Sequence, residues 1–165
     1  MTSQRAIPPG WDENPTSYRR RALLGVLALA GLGVAGYLTL FQVHAFDDVW
    51  DPFFASRPVL DLTAPVPDAA AGVLAYGTEL VLLAIGGQDR WRTLPAVCLA
   101  LGLVLSAGAV ASLALIAIQP TVAGAWCTLC LASAALSLAL FALGIGEARA
   151  AWAQVRRRRA QAGAP

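Results

Sequence analysis

Four stretches of this chain are apolar for long enough to cross a lipid bilayer, which leaves few folds open to it. They cover residues 22–41, 69–87, 94–118 and 127–146. A helical span needs about 20 residues at ~1.5 Å rise each. All four stretches are near or above that length, and the second is the least apolar because it contains Glu79. The sequence is 58% hydrophobic and only 13% charged, whereas soluble domains carry about a quarter charged residues. The expectation is an all-α, integral membrane four-helix bundle over residues 19–155. A flexible cytoplasmic tail (1–18) precedes it and a basic cytoplasmic tail (156–165) follows.

The loop charges orient the bundle. Arg19, Arg20 and Arg21 precede the first span, Arg90 and Arg92 separate the second and third, and Arg156 to Arg159 follow the fourth. The other two connections carry a single basic residue, Arg57, and the longer of them holds Asp47, Asp48, Asp51, Asp61 and Asp68. Basic residues stay inside, so the expected location is the cell membrane, multi-pass, with both termini cytoplasmic. The arginine run at 156–159 marks a membrane surface that attracts anionic lipid. It abuts a span, so no nucleic-acid partner is expected. Val43-His44-Ala45 offers small residues where a signal peptidase can cut, but the preceding apolar run exceeds a signal peptide's usual h-region. The first span is read as a retained helix.

The chemistry-bearing motif is Trp126-Cys127-Thr128-Leu129-Cys130, at the outer mouth of the fourth span. Two thiols one helical turn apart can close a disulfide with little backbone change. A thiolate at a helix N-terminus is stabilised by unpaired N–H groups and the positive dipole end. The outer compartment permits disulfides. The plain alternative is two core cysteines at a chance spacing. Cys98 lies near the cytoplasmic end of the third span, roughly 30 Å of helix away. That is too far for a bridge, and it reads as a small buried apolar residue. His44 is the only histidine, too few ligands for a metal site with the pair.

The second span carries a polar stripe. Asp68, Gly72, Tyr76 and Glu79 follow at spacings of four, four and three, on one helix face. Such a stripe can hydrogen-bond the carbonyls of an apolar redox ligand. It reads equally as interhelical glue, with Asp68 as an N-cap after Pro67. Glu79, near mid-bilayer, faces the bundle interior and reads as structural or catalytic. Gly25, Gly31, Gly33 and Gly36 in the first span, and the Gly102/Ser106 and Gly108/Ser112 pairs in the third, suit close helix packing. Val49-Trp50-Asp51-Pro52-Phe53-Phe54 in the first outer loop is an interface anchor or a lid that keeps water off a reactive site.

Four spans, a Cys-x-x-Cys opening the fourth, and Pro65-Val66-Pro67-Asp68 followed by Gly72 and Tyr76 resemble the vitamin K epoxide reductase family. The Trp50–Phe54 stretch is similar to its bacterial members. The resemblance covers residues 20–148. It implies a helix bundle around a membrane quinone, ubiquinone or menaquinone, with Cys127 and Cys130 as the catalytic pair and Cys130 engaging the quinone. It places Asp68 where members often carry a quinone-contacting Asn, and makes Asp68, Gly72 and Tyr76 the expected quinone contacts.

Three departures stand beside the likeness. Residues 43–68 lack the two loop cysteines that relay electrons from a partner. Ala134 stands where vertebrate-type members have a Tyr. The thioredoxin-like domain fused to many bacterial members is absent from this sequence. The expected function is a membrane thiol–disulfide oxidoreductase that passes electrons from an extracytoplasmic, thioredoxin-like protein to quinone. The alternative is a non-catalytic four-helix membrane protein serving as a binding or assembly subunit.

Overall fold

The computed structural model describes residues 7–43, 45, 53, 68–123 and 126–162, giving only the backbone at 68, 122 and 123. It is all-α among these residues. Helix α1 is Tyr18–Gln42, α2 Asp68–Ala84, α3 the single turn Arg90–Thr93, α4 Pro95–Ile118 and α5 Thr128–Ala162, with a π-helical turn at Gln119–Ala123 between α4 and α5.

Three of these helices, α1, α4 and α5, are long and apolar enough to cross a membrane. The fourth, α2, is apolar but has 17 residues, about 25 Å of helix. Large apolar side chains such as Leu29, Val81, Leu103 and Val110 are exposed on the outside of the bundle. In a helix that is apolar all round, such a surface belongs against lipid. These observations support a multi-pass membrane protein.

The helices close into a ring in which α1 packs on α2, α2 on α4, α4 on α5 and α5 on α1. Leu24, Ala28, Ala35, Tyr76, Leu101, Leu105 and Leu140 fill its centre. Close approach is set by a few small residues. A methyl on Gly31 would lie 2.4 Å from the Tyr76 ring, and one on Gly102 would lie 2.3 Å from the Ala148 Cβ. Gly25, Gly33 and Gly36 face open space instead, so only Gly31 of the first-span glycines seats a neighbour. Gly144, which gave no sequence signal, lies 2.5 Å from Leu105 on the same measure.

One end of the bundle is polar, and among the described residues its buried charges are paired. α2 ends before Gly86, whose φ of 83° suits a left-handed helix terminus. Its last carbonyls would be orphaned, and two arginines cover them. Arg21 donates from Nε to Leu83 O at 2.9 Å and from Nη1 to Gly86 O at 2.7 Å. Arg90 Nη1 donates to Leu82 O and Ile85 O at 2.7 and 2.8 Å. Arg90 also pairs with Glu147 of α5, and both residues are buried. Arg158 reaches the Arg92 carbonyl at 2.8 Å, so the three arginine clusters gather at this end.

Two differences from the sequence reading follow. Part of the expected flexible tail is anchored: Pro15 and Thr16 are buried, and the Asn14 amide donates to Gln88 O at 3.0 Å. At the other terminus α5 runs on to Ala162, through Arg156–Arg159. Alanine, glutamine and arginine are strong helix formers, and nothing in the sequence stops the helix where its apolar character ends.

Candidate active site

The opposite end of the bundle holds the cysteine pair and a cavity. Pro120 has no N–H to continue the α4 ladder, and the chain turns through the π-helical segment before entering α5. Cys127 stands immediately before that helix, in the N-cap position. Its carbonyl accepts the Leu131 N–H at 3.0 Å. Its sulfur accepts the Cys130 N–H at 3.2 Å, the role an N-cap oxygen usually fills. An N–H aimed at sulfur, at the positive end of a helix, favours the thiolate when it forms. Both cysteines are free thiols.

The two differ in surroundings. Cys130 is half-buried and lines the cavity. Cys127, although it stands at the N-cap of α5, is 1% exposed. Trp126 beside it is exposed. Gln119, itself buried, folds back so that its Oε1 accepts the Cys127 N–H at 3.2 Å.

The cavity has a volume of about 370 Å³, within the range of small-molecule sites. Its wall is mostly apolar, with Ala35 and Leu38 from α1, Ala111 and Leu115 from α4, and Ala134 from α5. Gln42, Ser112, Gln119, Cys130 and Ser133 supply polar edges. An apolar body with few polar groups near a thiol suits a small, largely apolar ligand.

The second-span stripe turns inward. Gly72 lines the cavity, and Tyr76 and Glu79 are buried. The Tyr76 hydroxyl donates to Ser133 O at 2.8 Å and meets Ser137 Oγ at 2.8 Å. Tyr76 thus sets the position of the α5 turn that carries Ser133 and does not itself form the cavity wall. Glu79 Oε2 is buried without a hydrogen-bond partner among the described residues. α2 begins at Asp68, but the Asp68 side chain lies outside the described residues, as do Trp50, Asp51, Pro52 and Phe54 of the expected lid. Phe53 is exposed.

Cys98 belongs to the other end, packed with Trp91, Ala150 and Ala151 and donating to Glu147 Oε1 at 3.3 Å. The sequence reading missed Gln119, Gln42, Ser133 and Glu147. Of these only Gln119, polar and just before a proline at the end of a long apolar run, carried a signal.

Residues 22–145 match the vitamin K epoxide reductase family. The chain belongs to that family. No curated protein and no solved structure matches it. Vitamin K epoxide reductase family membership associates the chain with thiol- and quinone-dependent redox chemistry. The matched segment contains the whole cavity wall and the Cys127/Cys130 pair, and it stops short of Glu147. In this family member the described bundle places Ala134, the departure noted in the sequence, directly in the cavity wall.

Proposed function

We propose that the protein is a membrane thiol oxidoreductase in which the Cys127/Cys130 pair passes two electrons to a membrane quinone seated in the 370 Å³ cavity. The observation that carries this reading is the position of Cys130, which lines an apolar cavity one helical turn from Cys127. A bound quinone supplies a two-electron, two-proton acceptor. The protein's share is to hold the pair, keep water out and favour the thiolate.

Oxidation of the pair forms one S–S bond between Cys127 and Cys130 and releases two electrons and two protons, which match what the acceptor takes up. The Cys130 N–H at 3.2 Å from the Cys127 sulfur holds the two residues in the register that the bond requires. The disulfide is reset by exchange with a dithiol protein, whose two thiols become a disulfide through a mixed intermediate. With no cysteines in residues 43–68, the partner meets Cys127 directly. We place this partner, a thioredoxin-like protein, on the extracytoplasmic side at the Trp126 end, with α2 as the fourth span and both termini cytoplasmic. Asp68 and Gly72 remain proposed quinone contacts, and Tyr76 acts by holding Ser133.

The burial of Cys127 and the missing loop cysteines favour a second reading, a binding or assembly subunit that keeps the scaffold without turnover. Quinone reduction by the purified protein with a small dithiol donor separates the two. Turnover that disappears in Cys127→Ser and Cys130→Ser supports the oxidoreductase; no turnover in the wild-type chain supports the subunit.

A further inference from the structure

We propose that Gln119 is a hydrogen-bond donor to a carbonyl of the cavity ligand, coupling that ligand to the backbone of Cys127. The inference rests on reading the cavity as a quinone site. Gln119 is 1% exposed, and polar side-chain atoms in such positions usually have a hydrogen-bond partner. The Cys127 N–H can only donate, so the oxygen of the Gln119 amide must face it, as the 3.2 Å contact shows. This fixes the orientation of the amide: Nε2, with two hydrogens to give, is turned away from Cys127. Among the described residues nothing accepts from Nε2.

Gln119 is also part of the cavity wall, together with Cys130. The other polar wall groups are hydroxyls, a thiol and Gln42, whose Oε1 accepts the Ala69 N–H at 3.2 Å. A quinone carbonyl is an acceptor without a proton. Nε2 of Gln119 is a donor of matching chemistry on the side of the cavity where the cysteine turn enters. One amide therefore bridges the ligand and the residue that precedes α5, so seating a quinone and fixing the Cys127 backbone become a single event.

The test uses the full chain in lipid nanodiscs with short-chain ubiquinone and menaquinone analogues. The infrared carbonyl band of the bound quinone is compared with that of the free quinone, and the quinone KM is measured with a small dithiol donor. In the wild-type chain one carbonyl band is expected at lower frequency than in the free quinone. In Gln119→Met the band returns toward the free position and the quinone KM rises roughly threefold to tenfold, the worth of one hydrogen bond. An unshifted band in the wild type, or a folded Gln119→Met with the wild-type band and KM, overturns the proposal. Should Gln119→Met fail to fold, Gln119→Glu, which keeps an oxygen for the Cys127 N–H, takes its place at a pH where the carboxylate's own infrared band shows it ionised and so without a proton to donate, and a quinone band unchanged from wild type overturns it equally. A wild-type chain that binds no quinone refutes the cavity assignment itself, a result distinct from bound quinone with an unshifted band.

Discussion

Arg90 and Glu147 form an ion pair inside the bundle, closed on one side by Nη2 and Oε2 at 2.7 Å. Neither has contact with solvent: their side chains are 0% and 1% exposed. The same guanidinium covers the carbonyls that end α2, and the same carboxylate accepts from the Cys98 thiol at 3.3 Å. One pair therefore ties α2, α3, α4 and α5 together at the end away from the Cys127/Cys130 pair.

Removing either partner leaves the other charge buried and alone. Arg90→Met and Glu147→Leu are each expected to destabilise the bundle by about 3–5 kcal/mol, and the double variant by clearly less than the sum. Unfolding of the purified protein in mixed micelles, followed by circular dichroism, measures all three. Additive losses would show that the two residues do not act as a pair.

The seat of Tyr76 on Gly31 makes a second prediction. Gly31→Ala places a methyl 2.4 Å from the ring, and overpacking of this kind costs about 1–3 kcal/mol. Tyr76→Leu in the Gly31→Ala background relieves the clash while losing the bonds to Ser133 and Ser137. The double variant is expected to be more stable than the two single losses combined. Strict additivity in the same unfolding assay would place Tyr76 elsewhere.

Much of the fold was legible because length and apolarity alone decide what crosses a bilayer. Residues 94–118 foretell α4 to within one residue, since Pro95 suits a first helical position and Pro120 ends the ladder. The period of the second-span stripe foretold that Gly72, Tyr76 and Glu79 share the inward face. What the sequence hid depends on contacts between distant segments. Arg90 reads as a loop charge that marks topology, yet it is buried, because Glu147, 57 residues on, meets it. Cys127 reads as exposed because it opens a helix, yet it is buried, and its N–H is held by Gln119, eight residues back. α5 reads as ending at Gly146 because the apolar run stops, but helix propensity continues to Ala162.

Orientation is open to labelling. In a chain whose three native cysteines are replaced, single cysteines at Arg92, which is exposed, and at Ser56 report the two sides. A membrane-impermeant maleimide added to intact cells is expected to modify the Ser56 site and spare the Arg92 site. The reverse pattern would put the arginine clusters outside and the cysteine pair in the cytosol, against the redox reading.

Direct exchange with a partner predicts a trapped species. Cys130→Ser removes the resolving thiol, so a mixed disulfide on Cys127 should persist and appear on non-reducing gels from the native host. Cys127→Ser should abolish it. A Cys130→Ser chain that captures nothing, while wild-type protein reduces quinone with small dithiols, would rule out direct protein oxidation by Cys127.

The claim that electrons pass from the Cys127/Cys130 pair to quinone is tested most directly by a single turnover without oxygen or any external thiol. Fully reduced protein in nanodiscs is mixed with excess quinone; the quinol formed is measured by absorbance, and the cysteines are mapped by mass spectrometry. The account predicts one quinol per chain, one Cys127–Cys130 disulfide, and Cys98 still a thiol. Quinone that stays oxidised while all three thiols remain titratable would contradict it.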